Sequence, residues 1–111
     1  MAENKQPVEE SFDAVSRRLI GEHPEDELGK MLHRPGIRTN GKFYAFITKS
    51  DLVIKLPVDR VDEYIASGEG QPCSPRPGHP MRQWVRLAPA NEQECAAYLA
   101  EARAFVTESG P

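Results

Sequence analysis

The 111-residue chain lacks any long apolar run. Its longest aliphatic stretch, Leu52-Val53-Ile54, falls far short of the ~20 residues that a membrane-spanning helix requires, so no transmembrane helix and no membrane partner are expected. The first residues, Met1-Ala2-Glu3-Asn4-Lys5-Gln6, are polar and offer no apolar core for a secretory signal. Cysteine is scarce. Cys73 and Cys95 belong to no Cys-x-x-Cys pair, so two free thiols in a reducing, cytoplasmic setting are expected. Aromatic residues make up only 7% of the chain, so a domain this small needs its rings for burial. Charge of one sign does not dominate either. Fourteen Lys and Arg face seventeen Asp and Glu, for a net −3, which argues against strong non-specific affinity for nucleic acid.

What is present is an ordinary globular composition, with 39% hydrophobic and 28% charged residues. That is too apolar for a disordered chain and sufficient for one domain. We place the domain at residues 8–107, between tails at 1–7 and 108–111. The charge is unevenly distributed along it. Residues 1–29 sum to −5, residues 30–60 to +5 and residues 61–111 to −3. The basic centre comprises Lys30, Arg34, Arg38, Lys42, Lys49, Lys55 and Arg60. It has two explanations: an anion-binding face, or strands placing Lys and Arg on their wet side.

Local patterning divides the chain further. Val8, Phe12, Val15 and Leu19 recur at helical spacing, with Gly21 and Pro24 as stop signals. Arg17 and Arg18 are expected in the last turn of that helix, where they suit its dipole. From Leu28 to Leu56 the period falls to two. Asn40-Gly41 fits a type I′ turn joining Ile37-Arg38-Thr39 to Lys42–Ile47. Lys49-Ser50-Asp51 reverses the chain into Leu52–Leu56, which makes a three-stranded meander, and Met31-Leu32-His33 supplies a fourth strand. Strict alternation puts Phe43, Ala45 and Ile47 on one face and Tyr44 with Phe46 on the other, so both faces of the sheet are expected to be partly covered. Pro57 opens a second helix that Gly68 closes. Residues 68–80, rich in Gly and Pro, read as a long loop. Trp84–Leu87 reads as a strand. Asn91 caps a last helix whose buried face carries Cys95, Tyr98, Leu99, Ala102, Phe105 and Val106.

These blocks carry a family resemblance. It comprises the amphipathic helix ending near Ile20, then Gly29-Lys30-Met31 leading into a turn at Gly36, and Gly41-Lys42-Phe43-Tyr44-Ala45. The strand Leu52–Leu56 followed by Pro57 and its helix, Pro80-Met81-Arg82-Gln83-Trp84-Val85 and a closing helix complete it. In order and spacing, residues 8–107 resemble the TfoX N-terminal-like family, which is related to the YjbR/MmcQ-type small domains. The resemblance implies an α+β domain with an antiparallel sheet flanked by helices. It also implies links to competence regulation through nucleic-acid or protein contacts, and it brings no established catalytic residues.

Candidate chemistry is thin. Cys73-Ser74 and His79 share one loop, with Arg76 and Arg82 near enough in sequence to favour a thiolate; a loop of solvated polar residues is the better explanation. Cys73, Cys95, His23, His33 and His79 are the pool for a metal, but no two have the usual short ligand spacing. Gly68-Glu69-Gly70 follows a helix and carries an acid, so it does not match a phosphate-cradling turn. Asp59, Asp62 and Glu63 are accounted for by the start of a helix. No helix-turn-helix, zinc finger or RNP pattern occurs, and Tyr44 and Trp84 fit the core better than a stacking platform. The expectation is an α+β fold, an antiparallel meander flanked by N-terminal, middle and C-terminal helices, acting as a non-enzymatic binding or regulatory module without cofactor or metal. Its working surface would be Arg34, Arg38, Lys42 and Lys55 together with Arg76, His79 and Arg82 of the loop, meeting nucleic acid or another anionic partner. The second reading is a protein or small-ligand adaptor, monomeric or homodimeric, docking through an apolar side or a strand edge. An enzyme is the third.

Overall fold

A computed structural model describes residues 7–31, 33–73 and 82–108 of the chain. They form α1 (Val8–Glu22), β1 (Asp26–Met31), β2 (Arg34–Thr39), β3 (Lys42–Ile47), β4 (Leu52–Lys55), α2 (Val58–Ser67), β5 (Gly70–Pro72), β6 (Trp84–Leu87) and α3 (Glu92–Glu108). The strands make one antiparallel sheet in the order β1-β2-β3-β4-β6-β5. The fold is therefore α+β, with helices before, within and after the sheet.

Local chemistry explains most boundaries. Asn40 and Gly41 have φ of +51° and +81°, the pair of positive values that a type I′ turn demands and whose twist matches the strands on either side. At the next reversal, the Thr48 hydroxyl accepts from the backbone N–H of Asp51 at 3.0 Å, and the Thr48 N–H donates to the Asp51 carbonyl at 2.9 Å. Pro57 stands at the N-cap of α2 and Gly68, at φ +87°, closes that helix in the left-handed conformation. At the start of α3 the Glu94 N–H donates to Asn91 Oδ1 at 2.9 Å, and Glu94 Oε1 accepts from the Ala90 N–H at 2.8 Å. This reciprocal arrangement satisfies two backbone donors.

The helices share one face of the sheet. Val8, Phe12 and Val15 of α1 and Cys95, Leu99, Ala102 and Val106 of α3 close over Ile37, Leu52, Ile54, Val85 and Leu87. α1 continues past Gly21 to Glu22, so its last turn holds no base. Arg17 and Arg18 lie earlier than the dipole argument expects. They pair instead with Asp13 at 3.2 Å and with Glu92 of α3 at 3.1 Å.

Three features of the sheet differ from the sequence expectation. The strand expected at Met31-Leu32-His33 is instead Asp26–Met31, and His33 lies in the turn beyond it with φ +65°. Residues 70–72 form a short edge strand inside the stretch read as loop. The β2–β3 register also shifts: Ile37 faces Ala45 but Arg38 faces Phe43. Tyr44 is therefore an extra residue, a β-bulge, and a one-residue insertion reverses the alternation beyond it. Tyr44, Ala45 and Ile47 face the helices, while Phe43 and Phe46 turn to the opposite face. The expected sets, Phe43 with Ala45 and Tyr44 with Phe46, are thus exchanged. The expectation that both faces are partly covered holds. On the second face Phe46, Val53, Trp84 and Cys73 form a buried cluster joined by Met31 and Phe43, and among the described residues no helical one takes part.

The bulged Tyr44 reaches a buried polar cluster that clamps α3 to the first hairpin. Its hydroxyl donates to Asp26 Oδ2 at 2.8 Å. Arg103 of α3 donates to both Asp26 oxygens, at 2.8 and 3.1 Å, and to Glu25 at 2.7 Å. The Asp26 side chain is fully buried. Burial alone would raise its pKa, but the bonds from Arg103 and Tyr44, with the Thr39 hydroxyl close by, hold it below the ordinary carboxylate value. Thr39 Oγ1 is itself buried and has no hydrogen-bond partner among the described residues. Burial, and then the neighbouring Asp26, push the Tyr44 phenol up.

Candidate functional site

Strand alternation decides which basic side chains share a surface. On β2, Ile37 and Thr39 point to the helices, which turns Arg34 and Arg38 to the opposite face. On β4, Leu52 and Ile54 point to the helices, and Lys55 shares the face of Val53. On β6, Arg86 lies beside Val53 and opposite Gln71, on that same face. Arg34, Arg38, Lys55 and Arg86 thus surround the Phe43, Phe46 and Trp84 rings.

The rings hold the cations in place. The Arg38 guanidinium lies 5.4 Å from the centroid of Phe43, and Lys55 Nζ lies 5.9 Å from that of Trp84. Phe46 and Trp84 meet with centroids 5.4 Å apart. The Phe43 ring lies over a pair of facing glycines, Gly29 and Gly36. A Cβ on Gly29 would come within 3.0 Å of Phe43 Cζ, and one on Gly36 within 2.8 Å of the Ala45 carbonyl and 3.2 Å of the ring. Only glycine leaves that slot open. Three partners hold Arg86: Gln71 Oε1 at 2.7 Å, the Pro72 carbonyl at 3.1 Å and Asp51 Oδ2 at 3.3 Å.

Carboxylates temper this charge without cancelling it. Arg38 pairs with Glu27 at 3.0 Å and Arg86 with Asp51. Arg34 is exposed and makes no ion pair among the described residues, and Arg82, exposed just before β6, makes none either. Both pairs on this face are partly solvated and contribute little to stability.

The sequence-selected residues separate accordingly. Arg34, Arg38 and Lys55 come together. Lys42 does not: it faces Thr39 across the turn and so lies on the helix side. Its nearness in sequence to Arg38 is misleading because alternation changes face at each step. Arg60, counted in the basic centre, belongs to α2 and is bound to Glu101 and Glu63. Arg76 and His79 lie outside the described residues. Sequence reasoning missed Arg86, although the alternation Trp84-Val85-Arg86-Leu87 places it with the tryptophan.

The cysteines lie in separate clusters, Cys73 on the second face and Cys95 under α3, and both are free. Burial pushes the Cys95 thiol up to about 12 and also raises Cys73, which Arg86 only partly offsets. A raised thiol is a poor nucleophile. No group of three His, Cys, Asp or Glu side chains placed to hold a metal occurs among the described residues, and none of their helices is long and apolar enough to cross a membrane. A separate cleft of about 220 Å³ opens between α1 and the first hairpin, walled by Phe12, Leu28, Pro35 and Ile47 with Glu9 and Asp13 at its rim.

Comparison with protein-family models, curated proteins and solved structures finds no match to this chain.

Proposed function

We propose that this chain is a non-enzymatic binding module that engages an anionic partner, with nucleic acid foremost, through the face of the sheet opposite its helices. The observation that carries the reading is the convergence of Arg34, Arg38, Lys55 and Arg86 on that face, two of them laid on aromatic rings. Rings that fix cations lower the entropy lost when those cations meet phosphates. Phe46 and Trp84 are buried, so attraction here is electrostatic and does not rely on base stacking. A regulatory role of this kind is also what membership of the TfoX N-terminal-like family, itself part of this proposal, would imply.

Titration of labelled single- and double-stranded DNA at low and moderate salt tests the reading. Binding at ~50 mM salt that weakens steeply with added salt is expected. Each of Arg34→Ala, Arg38→Ala and Lys55→Ala should weaken it, and Lys42→Ala, on the other side of the sheet, should not. An absence of binding at ~50 mM salt removes nucleic acid from the proposal. The cleft beside α1 favours a second reading, an adaptor for a small apolar ligand. Chemical-shift changes confined to Phe12, Leu28 and Ile47 on adding such ligands would support it.

A further inference from the structure

The two edges of the sheet are protected to different degrees. β5 is three residues long and ends in Pro72, which has no N–H to offer a new strand. β1 is six residues long, contains no proline and pairs with β2 alone. Met31 and Arg34 flank a two-residue connection and so form the hydrogen-bonded pair of this hairpin. Alternation from there turns the backbone N–H and C=O of Leu28 and Lys30 away from β2, out of the sheet. The Asp26 N–H is already taken by the His23 carbonyl at 2.9 Å. This open edge carries Leu28, a large hydrophobic residue left 49% exposed.

We propose that the occupant of this edge is a second copy of the chain, its β1 added antiparallel so that Leu28 faces Leu28. Charge selects both the partner and the register. A two-fold axis normal to the sheet keeps all helices on one side, and it allows only residues of the same face to oppose each other. Two registers meet that condition near the centre of β1. With Gly29 opposite Gly29, Leu28 faces Lys30 and two Arg38 guanidiniums converge. Each of those lies over its own Gly29, with Nη1 3.4 Å from where a Cβ would stand.

With Leu28 opposite Leu28, no like charges are set against each other. The two leucines cover each other. Lys30 stands opposite Asp26 of the second copy, whose carboxylate is buried and bound by Arg103, so the charge within its reach is the exposed Glu25 beside it. Glu27 faces Gly29 of the second copy, beneath that copy's Arg38, so each guanidinium gains a second carboxylate. The result is one continuous sheet in which both cationic faces lie on the same side. The pairing stands on the edge strand itself and does not depend on the anionic-partner reading.

Sedimentation of the full chain from micromolar to near-millimolar concentration should show a reversible monomer–dimer equilibrium. Leu28→Glu sets like charges face to face and should hold the chain monomeric, with unchanged circular dichroism because position 28 is half exposed. Leu28→Cys should oxidise to a covalent dimer, since opposed residues of a hydrogen-bonded antiparallel pair have Cα atoms about 5.5 Å apart. Lys30→Cys, which faces position 26, should cross-link roughly tenfold more slowly or not at all. A single monomer mass at every concentration overturns the proposal. So does a dimer that persists in Leu28→Glu, or equal cross-linking of the two cysteine variants. DNA titration of Leu28→Glu separates the two ideas, because loss of the dimer leaves the cationic face of each copy intact.

Discussion

On the helix side of the sheet, Ile37, Leu52, Ile54, Val85 and Leu87 are wholly or almost wholly enclosed, and α1 and α3 supply the matching aliphatic surface. On the other side, rings take the place of aliphatic side chains and cations take the place of helices: Arg38 lies on Phe43 and Lys55 on Trp84. Both sides bury apolar area, which is the main favourable term in folding. The second presents Arg34, Arg38, Lys55 and Arg86 to water, whereas on the helix side Arg60 lies on the Tyr64 ring but is bound by Glu101 and Glu63. One sheet thus separates an aliphatic, helix-covered face from an aromatic, cation-bearing one by the parity of its residues, with the bulge at Tyr44 deciding which ring goes where.

The sharpest way to break this comparison is to ask whether the second face is core at all. Phe46→Ala should cost about 3–5 kcal/mol, as much as a comparable truncation under the helices. Urea unfolding with the same slope as the parent would check this, and a loss under about 1 kcal/mol would reduce the second face to a surface veneer.

The polar clamp is the next test, because it lies on the helix side where the packing is otherwise apolar. Arg103→Ala leaves a buried Asp26 without its ion-pair partner and should cost about 3–5 kcal/mol. Because the folded-state pKa of Asp26 is depressed, its contribution is present above the unfolded value of about 3.9 and is lost as pH falls through the folded value. Asp26→Asn should therefore lose less stability than the parent between pH ~5 and the acid limit, as measured by thermal unfolding across that range.

Smaller effects refine the geometry. Gly36→Ala forces a Cβ against the Ala45 carbonyl and the Phe43 ring and should cost about 1–3 kcal/mol. If it were neutral, the ring would not be seated between the two glycines. Lys55→Ala removes one half-buried cation from a ring and should change stability by under about 1 kcal/mol. It should nonetheless weaken DNA binding measurably. An equal effect of Lys42→Ala on binding would dissolve the distinction between the faces.

Much of the architecture was legible in local sequence, for stated reasons. Asn40-Gly41 announced the hairpin because few other pairs accept two positive φ values. Pro57, Gly68 and Asn91 marked helix ends because each solves a backbone problem by itself. The short strand at residues 70–72 was hidden, since three residues containing Gly and Pro carry no period and pair only because β6 is there. The bulge was hidden too. Phe43-Tyr44-Ala45-Phe46-Ile47 reads as simple alternation, and only pairing with β2 shows which residue is extra. Of the candidate site, Arg34, Arg38 and Lys55 were found by composition and Arg86 was not. Lys42 was grouped with them because linear charge density ignores which way a strand residue points.

The sequence alone determined the Asn40-Gly41 turn, the two ends of α2 and the cap of α3, because those depend on steric limits and hydrogen-bond needs within a few residues. The tertiary structure alone decided the sidedness: which rings carry cations, which Arg meets Asp26, and which edge stays open. Those outcomes depend on register between strands distant in the chain, and a shift of one residue reverses every one of them.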